Sequence, residues 1–276
     1  MATAADSTEY LSTLEKGLSV LKCFTRERPE MTLSDVARAT GLNAAVVRRC
    51  LLTLEALGYM GKNQNLFFLK PKVLELGSQF NEIFNVDNTL RPLLQRMRDR
   101  TGDSASFAVL SEGEVLYVCH ASTYRVIRMQ AGAGTRFPAL NTSLGRAILG
   151  SWSDHELRAF IHRFPAQALT EKSVTKSKDL FDAVVKGREQ GWCSVSDELD
   201  YGVTSIAIPI RVPGVGTVGA INCSAATSRI DLVTFAMDRY PILRDTADTI
   251  IAELMRAPVL LQSIRSMENE NRATVR

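Results

Sequence analysis

Residues 32–60 read TLSDVARATGLNAAVVRRCLLTLEALGYM, and their spacing decides the fold of the first part of the chain. Thr32 stands three places before Asp35, an arrangement in which two side chains tie down the free backbone N–H groups at a helix start. Leu33, Val36 and Ala37 supply the apolar stripe of that helix, and Gly41 is a good C-terminal stop. Asn43 can cap a second start, after which Val46, Val47, Cys50, Leu51, Leu54 and Leu57 recur on one buried face. Gly58 closes that helix.

Upstream, Leu11, Leu14, Leu18 and Leu21, with Val20, recur at helical spacing, so 9–25 is predicted as one amphipathic helix, ended by ArgGluArgPro at 26–29. Downstream, YMGKNQNLFFLKP shows two short β-like stretches around a polar turn at 62–65. Helix, helix, tight turn, helix and β-wing is the order of a winged helix-turn-helix, whose third helix enters the major groove while the wing rides on the backbone or minor groove. Between 31 and 72 six basic residues (Arg38, Arg48, Arg49, Lys62, Lys70, Lys72) face two acidic ones (Asp35, Glu55), a local excess of +4. A three-helix bundle with a solvated basic face shows the same stripes; the wing pattern favours the DNA-binding alternative.

Asn43, Ala44, Ala45, Arg48 and Arg49 then lie near the exposed start of the recognition helix, where small residues allow close approach and arginine can reach phosphate or guanine. Ser34 in the preceding helix and Lys62 and Asn63 in the wing complete the candidate DNA contacts. Arg48 and Arg49 are about 100° apart on a helix, so both face DNA obliquely, and a surface salt bridge is the competing role for one of them.

The whole chain has 276 residues, 45% apolar and 23% charged, with a net charge of +3. That balance excludes disorder throughout and fits roughly two domains. Its longest apolar runs, such as IAIPI and FAVL, fall far short of the roughly 18 residues of a membrane helix. The opening MATAADSTEY has neither a basic start nor an apolar core, so no membrane partner and a cytoplasmic location are expected. Five widely spaced cysteines, with no CxxC pair, and three histidines argue against a disulfide framework, a metal site or any cofactor.

AsnValAspAsn at 85–88 interrupts the pattern, and Leu90, Leu93, Leu94 and Met97 then share one face of a short helix. The expected division is a DNA-binding domain at 9–84, a linker helix at 85–100, a second domain at 101–256 and a C-terminal tail at 257–276. In the second domain ASFAVL and VLYVCH flank a Glu-Gly turn, and β-like runs follow at VIRM, CSV, VTSIAIPIRV and TVGAINCS. Helices are expected at 142–151, 154–163, 178–190 and 231–254. Antiparallel strands with helices interposed make an α+β protein.

Pocket candidates are positions where polarity interrupts an apolar strand or opens a helix. Thr142 and Ser143 open a helix whose free N–H groups offer an anion site, with simple capping as the competing role. Asn222 and Ser224 share one strand face, opposite Ile221 and Cys223, and Ser205 lies in phase with Val203 and Ala207. Asp197, Glu198 and Asp200 form an acidic cluster that would repel an anion unless neutralised, with Arg125 or Arg136 as possible partners. Arg125 is also a candidate for a ligand carboxylate, and Trp192 and Phe137 for stacking, against the alternative of core packing.

TLSDVARATGLNAAVVRRCLLTLEALGYM with FFLKPKVLELG resembles the DNA-binding domain of the IclR family of bacterial transcription regulators. The likeness resumes in GTRFPALNTSLGRAIL, QGWCSVSDELDYGVTSIAIPI and AINCSAATSRI, which resemble successive pieces of that family's effector-binding domain, and it covers about residues 10–254. LLTLEALGY, LKPKVLELG and GTRFPALNTSLGR most resemble the branch regulating aromatic-acid catabolism. The resemblance implies a homodimer or homotetramer on a palindromic double-stranded operator, and a GAF-like C-terminal domain sensing a small organic acid, aromatic or a ring-cleavage product. It also implies that Thr142, Ser143, Leu144, Asp197, Ser205, Asn222 and Ser224 line the effector pocket. Asn222 stands where many relatives carry serine.

Two other functions compete. A small-acid hydrolase or lyase would use Asp197 with His120 or Cys119, but the chain has no nucleophile elbow and no supported Ser/His/Asp or Cys/His set. A DNA binder indifferent to small molecules is disfavoured by the polar residues set in the strands. Cys119 and Cys223 would suit a redox sensor, although strand cysteines more often act as small buried hydrophobes.

Overall fold

In the computed structural model, which describes residues 9–125 and 131–275, Thr32 caps helix α2 (Leu33–Thr40) as its spacing predicts. Its hydroxyl accepts the Asp35 N–H at 3.3 Å, and the Asp35 carboxylate accepts the Thr32 N–H at 3.2 Å. Gly41 ends the helix at φ 69°, in the left-handed region. The Asn43 side chain accepts the Ala45 N–H at 2.8 Å and starts α3 (Ala44–Ala56). The first helix, α1, is shorter than expected, Ser12–Lys22. Strands β2 (Met60–Asn63) and β3 (Leu66–Leu69) form the wing, and a three-residue strand unmarked in the sequence, β1 (Glu30–Thr32), pairs with β3. Val20, Met31, Val36, Val47, Leu51, Met60 and Phe67 form the core of this unit.

The chain divides into two units between Phe80 and Asn81, inside helix α4 (Leu74–Phe84). The expected linker segment 85–100 forms α5 (Val86–Thr89) and α6 (Arg91–Thr101) within the second unit. Leu90, Leu93, Leu94 and Met97 are all buried, as their shared face predicts.

The second unit is built on a six-stranded antiparallel sheet. Its strands are β4 (Ser104–Ser111), β5 (Glu114–Ala121), β6 (Arg136–Pro138), β7 (Cys193–Ser196), β8 (Val203–Val212) and β9 (Gly216–Ala226), in the order β6-β5-β4-β9-β8-β7. Glu112 and Gly113 both take positive φ, 54° and 84°, the backbone that a tight β4–β5 hairpin turn requires. The VIRM run lies outside the described residues. Helices α7 (Ser143–Leu149), α8 (Asp154–Arg163) and α9 (Ser177–Gln190) pack on one sheet face with Ala108, Tyr117, Ala207 and Ala220. On the other face, α6 and the long helix α10 (Leu232–Arg256) lie against the strands that carry Cys119 and Cys223.

Residues 257–276, expected as a tail, instead carry an 18-residue helix, α11 (Pro258–Val275). Leu260, Ile264 and Glu268, four apart, are buried along it. Trp152 Nε1 donates to Glu268 at 2.6 Å, and the Asn271 side chain donates to Leu110 O and accepts the Glu112 N–H, at 2.8 and 2.9 Å. The helix thereby fastens the β4–β5 turn.

Candidate effector pocket and DNA-reading surface

The first unit sorts its two neighbouring arginines onto different surfaces. Arg48 lines a concavity of about 380 Å³ with Ser34, Lys62, Asn65 and Phe67, bringing the start of α2, the recognition helix and the wing together. The Lys62 ammonium sits 5.4 Å from the Phe67 ring centre, so the wing holds its charge over an aromatic face. Asn43, Ala44, Ala45 and Asn63 are exposed nearby in sequence, at the start of α3 and the end of β2. Arg49 lines another, mainly apolar groove, with Leu14, Leu18, Leu57 and Leu76. Neither arginine forms an ion pair among the described residues, so the expected surface salt bridge is not what separates them.

In the second unit, strand register gathers polar side chains on the sheet face covered by α7. Residues paired across antiparallel strands point to the same side. Ser104, Ser224 and Ser205 form one cross-strand row, and His120, Ser106, Asn222 and Ala207 form the next. Ser205 and Ser143 hydroxyls are 2.8 Å apart, and Ser106 lies 2.9 Å from His120 Nδ1. Asn222 is only 3% exposed, yet its side-chain Oδ1 has no hydrogen-bond partner among the described residues. Leaving such an acceptor dry costs about 1–3 kcal/mol, the kind of vacancy a polar ligand relieves. The Ser224 hydroxyl likewise has no partner among the described residues and opens into a cavity of about 190 Å³, which Arg125 also lines.

The other candidates hold different positions. Thr142 is a helix cap: its hydroxyl accepts the Gly145 N–H at 3.0 Å and donates to Ala139 O at 3.0 Å. At Gly145 the helix packs so closely on the preceding turn that a Cβ would come within 2.1 Å of Ala139 O. Thr142 thus takes the capping role that competed with the anion site, and its hydroxyl satisfies one of the N–H groups at the helix start. Leu144 is fully buried in the apolar core. Asp197, at φ 58°, accepts the Gly202 N–H at 2.7 Å and pairs with Lys172 at 2.6 Å. The Lys172 hydrogen bond, then the Gly202 N–H, hold its carboxyl below the ordinary aspartate range.

Asp197 and Glu198 are neutralised, though not by the arginines expected, while Asp200 is exposed. Glu198 makes a buried two-point pair with Arg146, at 2.9 and 2.5 Å, and Arg146 also donates to Leu140 O. Arg136 pairs with Glu114 and Glu112 at the first hairpin. Phe137 stacks edge-on against Tyr117, their ring centres 5.4 Å apart, which favours packing over ligand stacking. Nor are Asp197 and His120 joined, since the first is held by Lys172 and the second by Ser106. Burial pushes the Cys119 thiol up to about 11 and the Cys193 and Cys223 thiols up to about 12, so they stay protonated and poorly nucleophilic.

Residues 13–63 match the IclR helix-turn-helix domain, and residues 81–252 match the bacterial transcriptional regulator IclR C-terminal domain. The chain belongs to the IclR family. Its similarity to the Pca regulon regulatory protein of Pseudomonas putida is 32% identity, covering 85% of this chain and 81% of that one. The p-hydroxybenzoate hydroxylase transcriptional activator of Acinetobacter baylyi is 28% identical over 88% of this chain and 91% of its own. Among solved structures, a regulator from Rhodococcus sp. RHA1 is 36% identical with a TM-score of 0.75, covering 90% of this chain and 99% of that one. An IclR homologue of Microbacterium hydrocarbonoxydans, complexed with 4-hydroxybenzoate, shares the fold at TM-score 0.69 and 21% identity, over 88% of this chain and 99% of its own. This IclR-family chain is a transcriptional regulator rather than an enzyme.

Ser104, Ser106 and Arg146 escaped the sequence reasoning, and His120 entered it only as a candidate of the competing enzyme reading. The two serines carry the same period-two signal that marked Asn222 and Ser224. No local pattern marks Arg146, whose partner lies 52 residues away.

Proposed function

We propose that this IclR-family regulator controls an aromatic-acid catabolic operon, and that a small organic acid bound on the polar face of the second unit alters operator binding or activation. The observation that carries the reading is Asn222, buried with an unused acceptor next to Ser224, Ser205 and Ser106. The relative that activates p-hydroxybenzoate hydroxylase and the homologue holding 4-hydroxybenzoate support an aromatic acid as the effector. A ligand that favours one conformation shifts DNA affinity by its differential binding to the two states.

On the DNA side, Ser34, Arg48 and Lys62 read or grip the operator from one concave surface, with Asn43, Ala44, Ala45 and Asn63 beside them and Arg49 in a lesser role. A homodimer or homotetramer reads two half-sites. The exposed Leu14 and Leu18 of α1, with Leu11 just before it, support pairing of copies, which sedimentation of the full chain tests.

The test of the effector reading starts from an operator selected from random DNA, with its affinity measured with and without 4-hydroxybenzoate, protocatechuate, β-ketoadipate and muconate. One acid should change affinity at least fivefold, and Asn222→Ala and Ser224→Ala should abolish the response while ligand-free DNA binding is kept. Operator affinity indifferent to every acid would leave a ligand-independent DNA binder.

A further inference from the structure

Helix α3 turns Val47, Cys50, Leu51 and Leu54 into the core of the first unit. At 3.6 residues per turn, or about 100° each, the direction opposite that face falls on Ala45, Leu52 and Ala56, all three exposed. Arg48 stands about 40° from Leu52 on one side, and Arg49, about 60° away on the other, lines the apolar groove. Leu52 is 42% exposed, whereas Val47, Leu51 and Leu54 are 8% exposed or less. The outermost line of the recognition helix is therefore apolar.

One exposed leucine on a protein surface is ordinary, and it is the surroundings that mark this one. Leu52 lines the concavity of about 380 Å³ with Ser34, Arg48, Lys62 and Asn65, which come from α2, from α3 and from the wing. Among the described residues no acid lines it, and neither Arg48 nor Lys62 forms an ion pair. The concavity thus carries positive charge of the kind that a phosphate backbone neutralises. Along the base edges of a major groove the one alkyl group is the C5-methyl of thymine; the other groups are hydrogen-bond donors and acceptors. A leucine set against those would take water from them and return no bond.

We propose that Leu52 is a specificity-determining residue of the operator contact, and that it reads the C5-methyl of one thymine between the contacts made by Arg48 and Lys62. This rests on the reading of the concavity as the DNA surface. It adds the one feature of a base edge that charge and hydrogen bonding cannot select. Ala45 stands on the same line of the helix, but seven residues at 1.5 Å place it about 10 Å along the axis, far enough to meet a different base pair.

The experiment uses the full chain and an operator selected from random double-stranded DNA. Each thymine is replaced in turn by uracil, which removes the methyl group and leaves every hydrogen-bonding group in place. At one position at least, wild-type affinity should fall about three- to fivefold, the weight of one buried apolar carbon. Leu52→Ala should bind both forms of that site as the wild type binds the uracil form, and Leu52→Met, which keeps length and apolar character, should keep the preference for thymine. Leu52 is exposed and alanine suits a helix, so Leu52→Ala should fold as the wild type does. Replacement by uracil without effect at any position, or a selected operator that lacks thymine, overturns the role of Leu52 and leaves the concavity a DNA contact. A preference for thymine undiminished in Leu52→Ala, whether or not overall affinity falls, overturns it as well, because another side chain then reads the methyl. If selection enriches no sequence at all, the DNA reading of the concavity falls and the role of Leu52 falls with it.

Discussion

The first unit buries apolar side chains from Val20 to Phe67, and the residues proposed to face DNA, Ser34, Asn43, Arg48 and Lys62, stand on its surface. The second unit takes polar groups inside: Ser104, Ser106, His120, Asn141, Ser143, Arg146, Glu198, Asn222 and Ser224 are all buried. Every buried polar side chain among the described residues falls at or after Thr101. A surface that reads DNA can change its side chains at little cost to folding. An interior that senses a ligand cannot, because each polar group there must be matched by another or left for the ligand.

That contrast is open to measurement, and the largest effect belongs to the buried ion pair. Arg146→Ala strands Glu198, whose side chain is only 10% exposed, and should destabilise the second unit by about 3–5 kcal/mol in urea unfolding. A cost no greater than that of an exposed substitution would erase the distinction between the units. Pairing it with Glu198→Leu should recover most of the loss.

Arg48→Ala should weaken operator binding by about 1–3 kcal/mol if the side chain reads a guanine, relaxing specificity at one position. Its effect on folding should stay within about 0.5 kcal/mol, since the side chain is exposed. Arg49→Ala, on the other groove, should change specificity at no position; a matching loss in both variants would mean the two surfaces are not functionally separate. Thr32→Ala removes a helix cap at the edge of the same unit and should cost about 1 kcal/mol of its stability, read from thermal melts.

The smallest effect concerns pH and the C-terminal helix. Burial raises the Glu268 carboxyl above the ordinary glutamate range, against the lowering bonds from Trp152 and Arg272. Because the folded state then holds a proton that the unfolded state releases, stability falls as pH rises from the unfolded value to the higher folded one. Asp197 behaves oppositely: its lowered value keeps its contribution present above the ordinary aspartate range and loses it as pH falls through the folded value. Hydrogen exchange of the α11 amides should therefore quicken as pH rises through the Glu268 window, after correction for intrinsic exchange. Glu268→Gln should flatten that dependence, and an unaltered slope would show that another group sets it.

The winged helix was legible because its determinants are local. Thr32 with Asp35, Gly41 and Asn43 mark helix ends within a few residues of the backbone groups they satisfy, and the structure places all of them as their spacing predicts. The alternation of Asn222 and Ser224 likewise exposed one face of β9. What stayed hidden depends on distant partners. β1 is three residues long and exists by pairing with β3, Arg146 meets Glu198 across the fold, and the convergence of Arg125 and Arg229 on Gly102 spans more than a hundred residues of chain. The segment after 256 reads as a tail although Leu260 and Ile264 sit one turn apart, since its polar partners Trp152 and Leu110 lie far upstream.

The bonds from α11 back to the β4–β5 turn also impose an order in time. Domains fold as units while the chain emerges, at about 5–20 residues per second. The winged helix has all its strands and its core by Leu69, whereas the first hairpin of the sensor sheet lacks its Asn271 partner until α11 has been made. Some two hundred residues separate those points, about 10–40 s of synthesis at that rate. During that interval a nascent chain carries a DNA-binding unit able to fold, joined to a sensor unit not yet able to close.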